Sequence, residues 1–212
     1  MGTDDQINTL SRLFRVSHET ISSLKKYEKL LIKANNSLNL IGKSTLNQIW
    51  NRHFIDSFQV IDFIDKNNNS LIDMGSGAGF PGMVLAIAAK DKNIPIKITL
   101  VEKSKKKANF LNDIKNELKL NVHVICKNIL NDNEKLTSQV FVARAFKPFE
   151  IILELIHNKI ENFEKFFVFL GKTGNRDLLQ ASKNWDIKYK QRMSITSNDS
   201  FIIEINKLEK IN

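Results

Sequence analysis

Cysteine is almost absent: Cys126 is the single thiol among 212 residues, so no internal disulfide can form and the fold must rest on a packed core. Histidine is nearly as sparse. His18, His53, His123 and His157 are scattered, and with one thiol they offer no zinc-ligand spacing, so no metal is expected. No apolar run approaches the roughly 18 residues of a membrane span. Two early acids, Asp4 and Asp5, stand where a signal segment would need an apolar core. We therefore expect a soluble cytoplasmic protein without a membrane partner, and a reducing compartment suits the lone thiol. The length suggests one domain, or one domain with a modest extension, and 42% apolar residues suffice for a buried core. A net charge of +9 would suit a polyanionic partner through phosphate contacts. That signal is weak on its own, because Lys and Asn are abundant throughout.

Glycine is concentrated at one place. Asp73-Met-Gly-Ser-Gly-Ala-Gly79 follows a short apolar run, Ser70-Leu71-Ile72, and precedes a helix-like segment, and Glu102 closes the next apolar run. A strand feeding a glycine-rich turn lets main chain approach a ligand closely, because glycine accepts positive φ and has no side chain. An acid at the tip of the following strand can accept hydrogen bonds from both ribose hydroxyls. Gly75, Gly77 and Gly79 alternate, which is not the G-x-G-x-x-G of pyrophosphate binders. The pattern favours S-adenosylmethionine, which has no phosphate to cradle, over a dinucleotide.

Three sections follow along the chain. From about Gln6 to Ile64 apolar residues recur at three and four: Ile21, Leu24, Tyr27, Leu30 and Leu31, then Ile49, Trp50, Ile55, Phe58 and Ile61. This predicts an N-terminal helical layer, residues 1–66, with Ser17 as an N-cap and Thr20 where a capping box prefers Glu. Lys66 to Ser70, with Asn67-Asn68-Asn69, reads as a polar connector. Over residues 67–212 strand-like runs alternate with helix-period segments, the signature of an α/β fold with a parallel sheet covered on both faces. Near the end, Ile187–Ile195 and Phe201–Asn206 flank a turn-rich interval and predict an antiparallel pair. The two sections are expected to form one unit.

Four blocks also carry a family resemblance: Arg52-His53-Phe54-Ile55-Asp56-Ser57; Asp73 to Gly82, ending Gly-Phe-Pro-Gly; Glu102 with Lys106-Lys107 and Phe110-Leu111; and Ala143-Arg144-Ala145-Phe146. Their order and separations resemble the bacterial small-subunit ribosomal RNA guanine-N7 methyltransferases, once called glucose-inhibited division protein B. The resemblance implies a Rossmann-like class I methyltransferase: a mostly parallel seven-stranded sheet with a reversed last strand, preceded by helices. It implies methyl transfer from S-adenosylmethionine to N7 of one guanine in 16S ribosomal RNA, either naked or in the small ribosomal subunit. A monomer is expected.

The missing residue types agree. Guanine N7 has an in-plane lone pair and loses no proton on methylation, so positioning suffices and no general base is needed. The prolines, Pro81, Pro95 and Pro148, are never adjacent, so the Asn/Asp-Pro-Pro-aromatic block of amine methyltransferases is absent. Cys126 ends an expected buried strand and reads as a small core residue rather than a nucleophile.

Candidate cofactor-binding residues are Asp73, Gly75, Ser76, Gly77, Gly79, Phe80, Glu102, Ile129, Leu130 and Arg144. Phe80 reads equally as core. Ile129 and Leu130 would cover the adenine ring, in a loop where the family often has Arg and an acid. Arg144 would hold the cofactor carboxylate or donate to guanine O6, as a positioning residue, against a plain structural ion pair. Candidate RNA-binding residues are Arg52, His53, Lys106, Lys107 and Phe146. Phe146 would stack on the base, or lie in the core. His53 and Asp56, three apart on one helix face, would line the pocket or join the helical layer to the sheet. The competing functions are a small-molecule methyltransferase, a noncatalytic ribosome-assembly factor that keeps the pocket, and a nicotinamide oxidoreductase, the last disfavoured by the glycine spacing.

Overall fold

Seven strands make one sheet in the structure, a computed structural model that describes residues 2–131 and 133–211. In chain order they are β1 Ser70–Met74, β2 Lys97–Glu102, β3 Val122–Cys126, β4 Val140–Arg144, β5 Lys165–Leu170, β6 Trp185–Met193 and β7 Phe201–Lys210. They lie in the spatial order β3-β2-β1-β4-β5-β7-β6. The first five run parallel and β7 is antiparallel to both neighbours. The chain reverses direction outward from β1, so β1 and β4 meet at the switch point, where the crevice of an open parallel sheet opens at the carboxyl ends of the strands. Asp73, Glu102 and Arg144 all stand at those ends.

Helices cover both faces, as strands buried on each side require. One apolar cluster joins α1 (Thr3–Phe14) and α2 (His18–Leu38) to α3 (Gly82–Asp91) and α4 (Lys105–Glu117) over one face. A second cluster joins α5 (Phe149–Lys159) and α6 (Gly174–Ala181) to the other. The helical layer and the sheet thus share a continuous core. At the start of α2 the Ser17 hydroxyl accepts from the Thr20 amide at 3.2 Å. Thr20 cannot complete a capping box, and Asp91 of α3 takes that part: its Oδ1 accepts from the Ser17 amide at 3.1 Å and the Thr20 hydroxyl at 2.7 Å. A local cap has become a tertiary tie.

Three expectations need correction. Ile49 to Ile61 is no continuous α-helix: a 3-10 segment (Lys43–Gln48) gives way to a π-helical turn (Trp50–Ile55), one α turn (Asp56–Phe58) and a second 3-10 turn (Ile61–Phe63). The wider π turn carries the Arg52-His53 block, and such turns often sit at functional sites. The Asn67–Asn69 segment is a connector between the second 3-10 turn and β1, as expected, and it is tied down. Asn68 is buried, with its Oδ1 accepting from the Asp65 amide at 2.9 Å and its Nδ2 donating to Glu164 at 2.9 Å. Cys126 is exposed rather than core, because β3 is an edge strand and this residue ends it. The C-terminal pair does form, but β7 runs on to Lys210. Its buried Glu204 is met by Arg192 of β6 at 2.9 Å.

Candidate functional site

After β1 the backbone turns through Gly75, Gly77 and Gly79, at φ +71°, +56° and +97°. Two of these glycines answer crowding as well as backbone angle. A Cβ on Gly75 would run into the Phe146 ring, and one on Gly79 would meet the Tyr27 hydroxyl. Gly77 differs, since beyond its chain neighbours a Cβ there would find only the Gly75 carbonyl, 3.8 Å away. Its left-handed backbone borders open space, where a ligand can approach main chain. The turn is stitched to β2: the amides of Gly75 and Ser76 donate to the Val101 carbonyl at 2.9 and 3.1 Å. From beneath, the Tyr27 hydroxyl of α2 donates to the Ala78 carbonyl.

The turn forms one wall of a cleft of about 460 Å³, within the size range of small-molecule sites. Gly75, Ser76, Gly77, Phe80, Glu102, Ile129, Leu130, Arg144, His53, Lys107 and Phe146 all line it. Asp73, Gly79, Arg52 and Lys106 do not. Asp73 is fully buried behind the turn, where its Oδ2 accepts from the Gly82 amide at the start of α3 at 3.0 Å. Its Oδ1 is buried without a partner, and burial pushes its pKa up from 3.8 to about 7, against the pull of the Gly82 and Ser76 hydrogen bonds. Its place is that of a brace under the turn.

Glu102 is nearly buried at the end of β2. Its Oε2 accepts from the Gly77 amide at 2.9 Å and its Oε1 from the Ser104 amide at 2.8 Å. A carboxylate offers about four acceptor sites, so capacity remains for two hydroxyls. Ile129 is buried and Leu130 half-buried beside it, an apolar slot for a planar ring.

The opposite wall was not foreseen. Leu40, Ile41 and Gly42 leave the end of α2 and border the cleft. Asn39 takes a left-handed φ of 46°, and the buried Asn35 side chain clamps Ile41, accepting its amide at 2.8 Å and donating to its carbonyl at 3.2 Å. The helix end in the sequence, Asn39 with Gly42 close behind, was the available signal. Lys103, Lys127, Asn128, Ala145 and Lys147 complete the mouth. Ala145 has a left-handed φ of 49°, uncommon for a residue with a Cβ, and this turn folds Phe146 back against Gly75.

Arg144 gathers the Arg52-His53-Asp56 block. Its Nε lies 3.2 Å from Asp56 Oδ2, and its Nη2 donates to the Arg52 carbonyl at 2.6 Å and to His53 Nδ1 at 3.3 Å. Because Nη2 can only donate, His53 Nδ1 must accept, and the ring proton sits on Nε2, 3.0 Å from Thr45 Oγ1. The Thr45 hydroxyl donates onward to the Gly42 carbonyl at 2.8 Å. The His53 ring stacks on Phe80 with centroids 4.8 Å apart. Burial, with Arg144 and Arg52 adding repulsion, lowers its pKa from 6.5 to about 3, so the imidazole is neutral. Burial also draws the Arg144 pKa below its usual value, opposed by Asp56.

Residues 20–203 match the family model described as rRNA small subunit methyltransferase G. A protein of Pelagibacter ubique named ribosomal RNA small subunit methyltransferase G is 39% identical over 199 residues, covering 93% of each chain. Among solved structures, TrmK from M. capricolum, in complex with S-adenosyl-homocysteine, superposes with a TM-score of 0.53 at 21% identity, covering 71% of this chain and 67% of that one. The 16S rRNA methylase RmtB superposes at 0.54 with 11% identity, covering 91% and 76%. At those identities the structural likenesses speak for the fold.

Proposed function

The chain belongs to the rRNA small subunit methyltransferase G family, and on that footing we propose that its cleft serves S-adenosylmethionine-dependent methylation of N7 of one guanine in 16S ribosomal RNA. The observation that carries the reading is the open left-handed Gly77 backbone held by Glu102 at the carboxyl rim of the sheet. When bound, S-adenosylmethionine supplies an electrophilic methyl group. Glu102 would accept from the ribose hydroxyls, Ile129 and Leu130 would cover the adenine, and Gly75, Ser76 and Gly77 would meet the ligand with main chain. Asp73 and Gly79 support the turn from behind. Phe80 serves as floor and as the platform for His53.

Two of the five N–H donors of Arg144 are hydrogen-bonded, to the Arg52 carbonyl and His53, and Nε faces Asp56 as an ion pair. The two on Nη1 remain for the cofactor carboxylate or guanine O6, and either use would orient the reacting pair without touching the N7 lone pair. Phe146 stands at the mouth, where a base turned out of its stack would meet a ring. No residue here needs to take a proton, because none leaves N7. The shared core supports treating residues 1–66 and 67–212 as one unit.

The test is methyl transfer from labelled S-adenosylmethionine to naked 16S RNA, assembled small subunits and a metabolite pool, with mass spectrometry of the product. One methylguanine in the RNA, in either form, is expected. Label only in small molecules, or nowhere, would overturn the reading.

A further inference from the structure

We propose that Asp56 is a positioning residue that sets the guanidinium of Arg144 and ties it to the segment linking β6 and β7. The inference rests on the functional reading above for its rate predictions and on geometry alone for its structural one. Asp56 is almost fully engaged. Its Oδ2 faces Arg144 Nε at 3.2 Å. Its Oδ1 accepts from the Ser194 hydroxyl at 3.0 Å, the Thr196 hydroxyl at 3.0 Å and Gln59 Nε2 at 2.9 Å. Gln59 in turn accepts from the Ile195 amide at 3.2 Å. Residues distant in sequence, Gln59 just past the α turn and Ser194 and Thr196 after β6, therefore hold one carboxylate in a fixed plane.

That plane decides which way Arg144 presents its free edge. With Nε on Asp56 and Nη2 on the Arg52 carbonyl and His53, rotation about the end of the side chain is blocked from two sides. Among the described residues Nη1 has neither a hydrogen bond nor an ion pair, and Arg144 lines the cleft. Phe80 and Phe169 each lie with their ring centroids 5.8 Å from the guanidinium carbon, limiting movement out of plane. A donor pre-set in this way needs no reorganisation when a ligand arrives. From the same guanidinium a directed chain runs through His53 and Thr45 to the Gly42 carbonyl. The setting of Arg144 is thereby shared with the facing wall.

The informative change is Asp56→Asn. Its oxygen can keep Ser194 and Thr196 while its NH2 meets Arg144 Nε donor to donor, so the shape persists and the orienting bond is lost. Methyl transfer to small subunits at saturating cofactor is expected to slow roughly 10- to 100-fold, the scale of a small misplacement at a reacting centre. The fold should persist by circular dichroism, and Asp56→Glu, which keeps the charge, should recover part of the rate. Arg144→Lys combined with Asp56→Asn should be no slower than the worse single variant, since both act through one guanidinium. Parental turnover in Asp56→Asn, or losses that multiply, would overturn the assignment. Independently of activity, nitrogen-15 spectra should show the Arg144 Nε–H protected from exchange in the parent and unprotected in Asp56→Asn; equal protection would also overturn it. If the parent transfers no methyl, the functional reading falls while the exchange measurement still judges Asp56. Should Asp56→Asn not fold, Ser194→Ala with Thr196→Val removes two donors that fix the carboxylate and should raise exchange at the same Nε–H.

Discussion

At the scale of single residues, two carboxylates beside the glycine turn, one at the end of β1 and one at the end of β2, do different work. Glu102 has its oxygens on the Gly77 and Ser104 amides and faces the cleft, while Asp73 lies behind it with one oxygen unpartnered. If Glu102 accepts from the ribose as proposed, Glu102→Ala loses that acceptor and its bond to the Gly77 amide, so calorimetry should show cofactor binding weakened roughly 10- to 100-fold, from about 1.5–3 kcal/mol for charge-assisted hydrogen bonds. Unchanged affinity would remove that role. Asp73 makes itself felt through pH. Its folded pKa of about 7 lies above the ordinary 3.8, so the folded state holds its proton more tightly than the unfolded chain, and stability is lost as pH rises between those values. His53, lowered from 6.5 to about 3, acts in the opposite sense: the unfolded chain takes up the proton first, and stability is lost as pH falls through that range. The two slopes oppose each other in the parent. In Asp73→Asn only the His53 slope remains of this pair, so the melting temperature of the variant relative to the parent should climb from about pH 4 to about pH 7 and then level off. A difference that is flat with pH, or that falls, would show that Asp73 is not titrating in the folded state as its burial implies.

At the scale of elements, the helical layer acts on the site through α2. Tyr27 is fully buried; burial, with the nearby Asp73 carboxylate, raises its pKa well above the ordinary value, so the phenol keeps its proton. That proton goes to the Ala78 carbonyl in the middle of the glycine turn. Tyr27→Phe leaves this carbonyl unsatisfied, which should cost about 1–3 kcal/mol in urea unfolding and also weaken cofactor binding; a stability loss with parental affinity would mean that the turn holds its shape without the brace. Such ties explain what the sequence does and does not reveal. The central strands β4 and β5 were legible because both their faces are apolar. The glycine turn was legible because only glycine fits its angles and contacts. The π turn was not, since its apolar spacing imitates an α-helix and its wider winding shows only when His53 reaches both Arg144 and Thr45. The Leu40–Gly42 wall was hidden for a similar reason: its position depends on Asn35 clamping Ile41, a contact that no periodicity encodes. Cys126 looked internal because burial of β3 depends on its place in the sheet order, which an apolar run does not state.

At the scale of the whole molecule, the positive charge becomes meaningful through where it lies. Lys103, Lys107 and Lys147 border the cleft, and Lys105 and Lys106 open α4 directly beside it. Among the described residues none of these five has an ion-pair partner, whereas many lysines elsewhere do, such as Lys165 with Asp65 and Lys210 with Glu154. A rim of unpaired cations around a pocket sized for a small molecule suits a substrate whose backbone carries charge past the opening while one base enters. Binding of 16S RNA should then fall steeply with salt, with a slope in log–log form of about −0.7 for each single-strand phosphate contacted. Lys106 is the discriminating position, since it is exposed and does not line the cleft. Lys106→Glu should weaken RNA binding and flatten that slope by about one contact, while calorimetry with S-adenosylmethionine returns the parental affinity. RNA affinity indifferent to both salt and this substitution would place the RNA on another face of the protein. A loss of cofactor affinity in the same variant would instead mean that the charge at the start of α4 belongs to the small-molecule pocket.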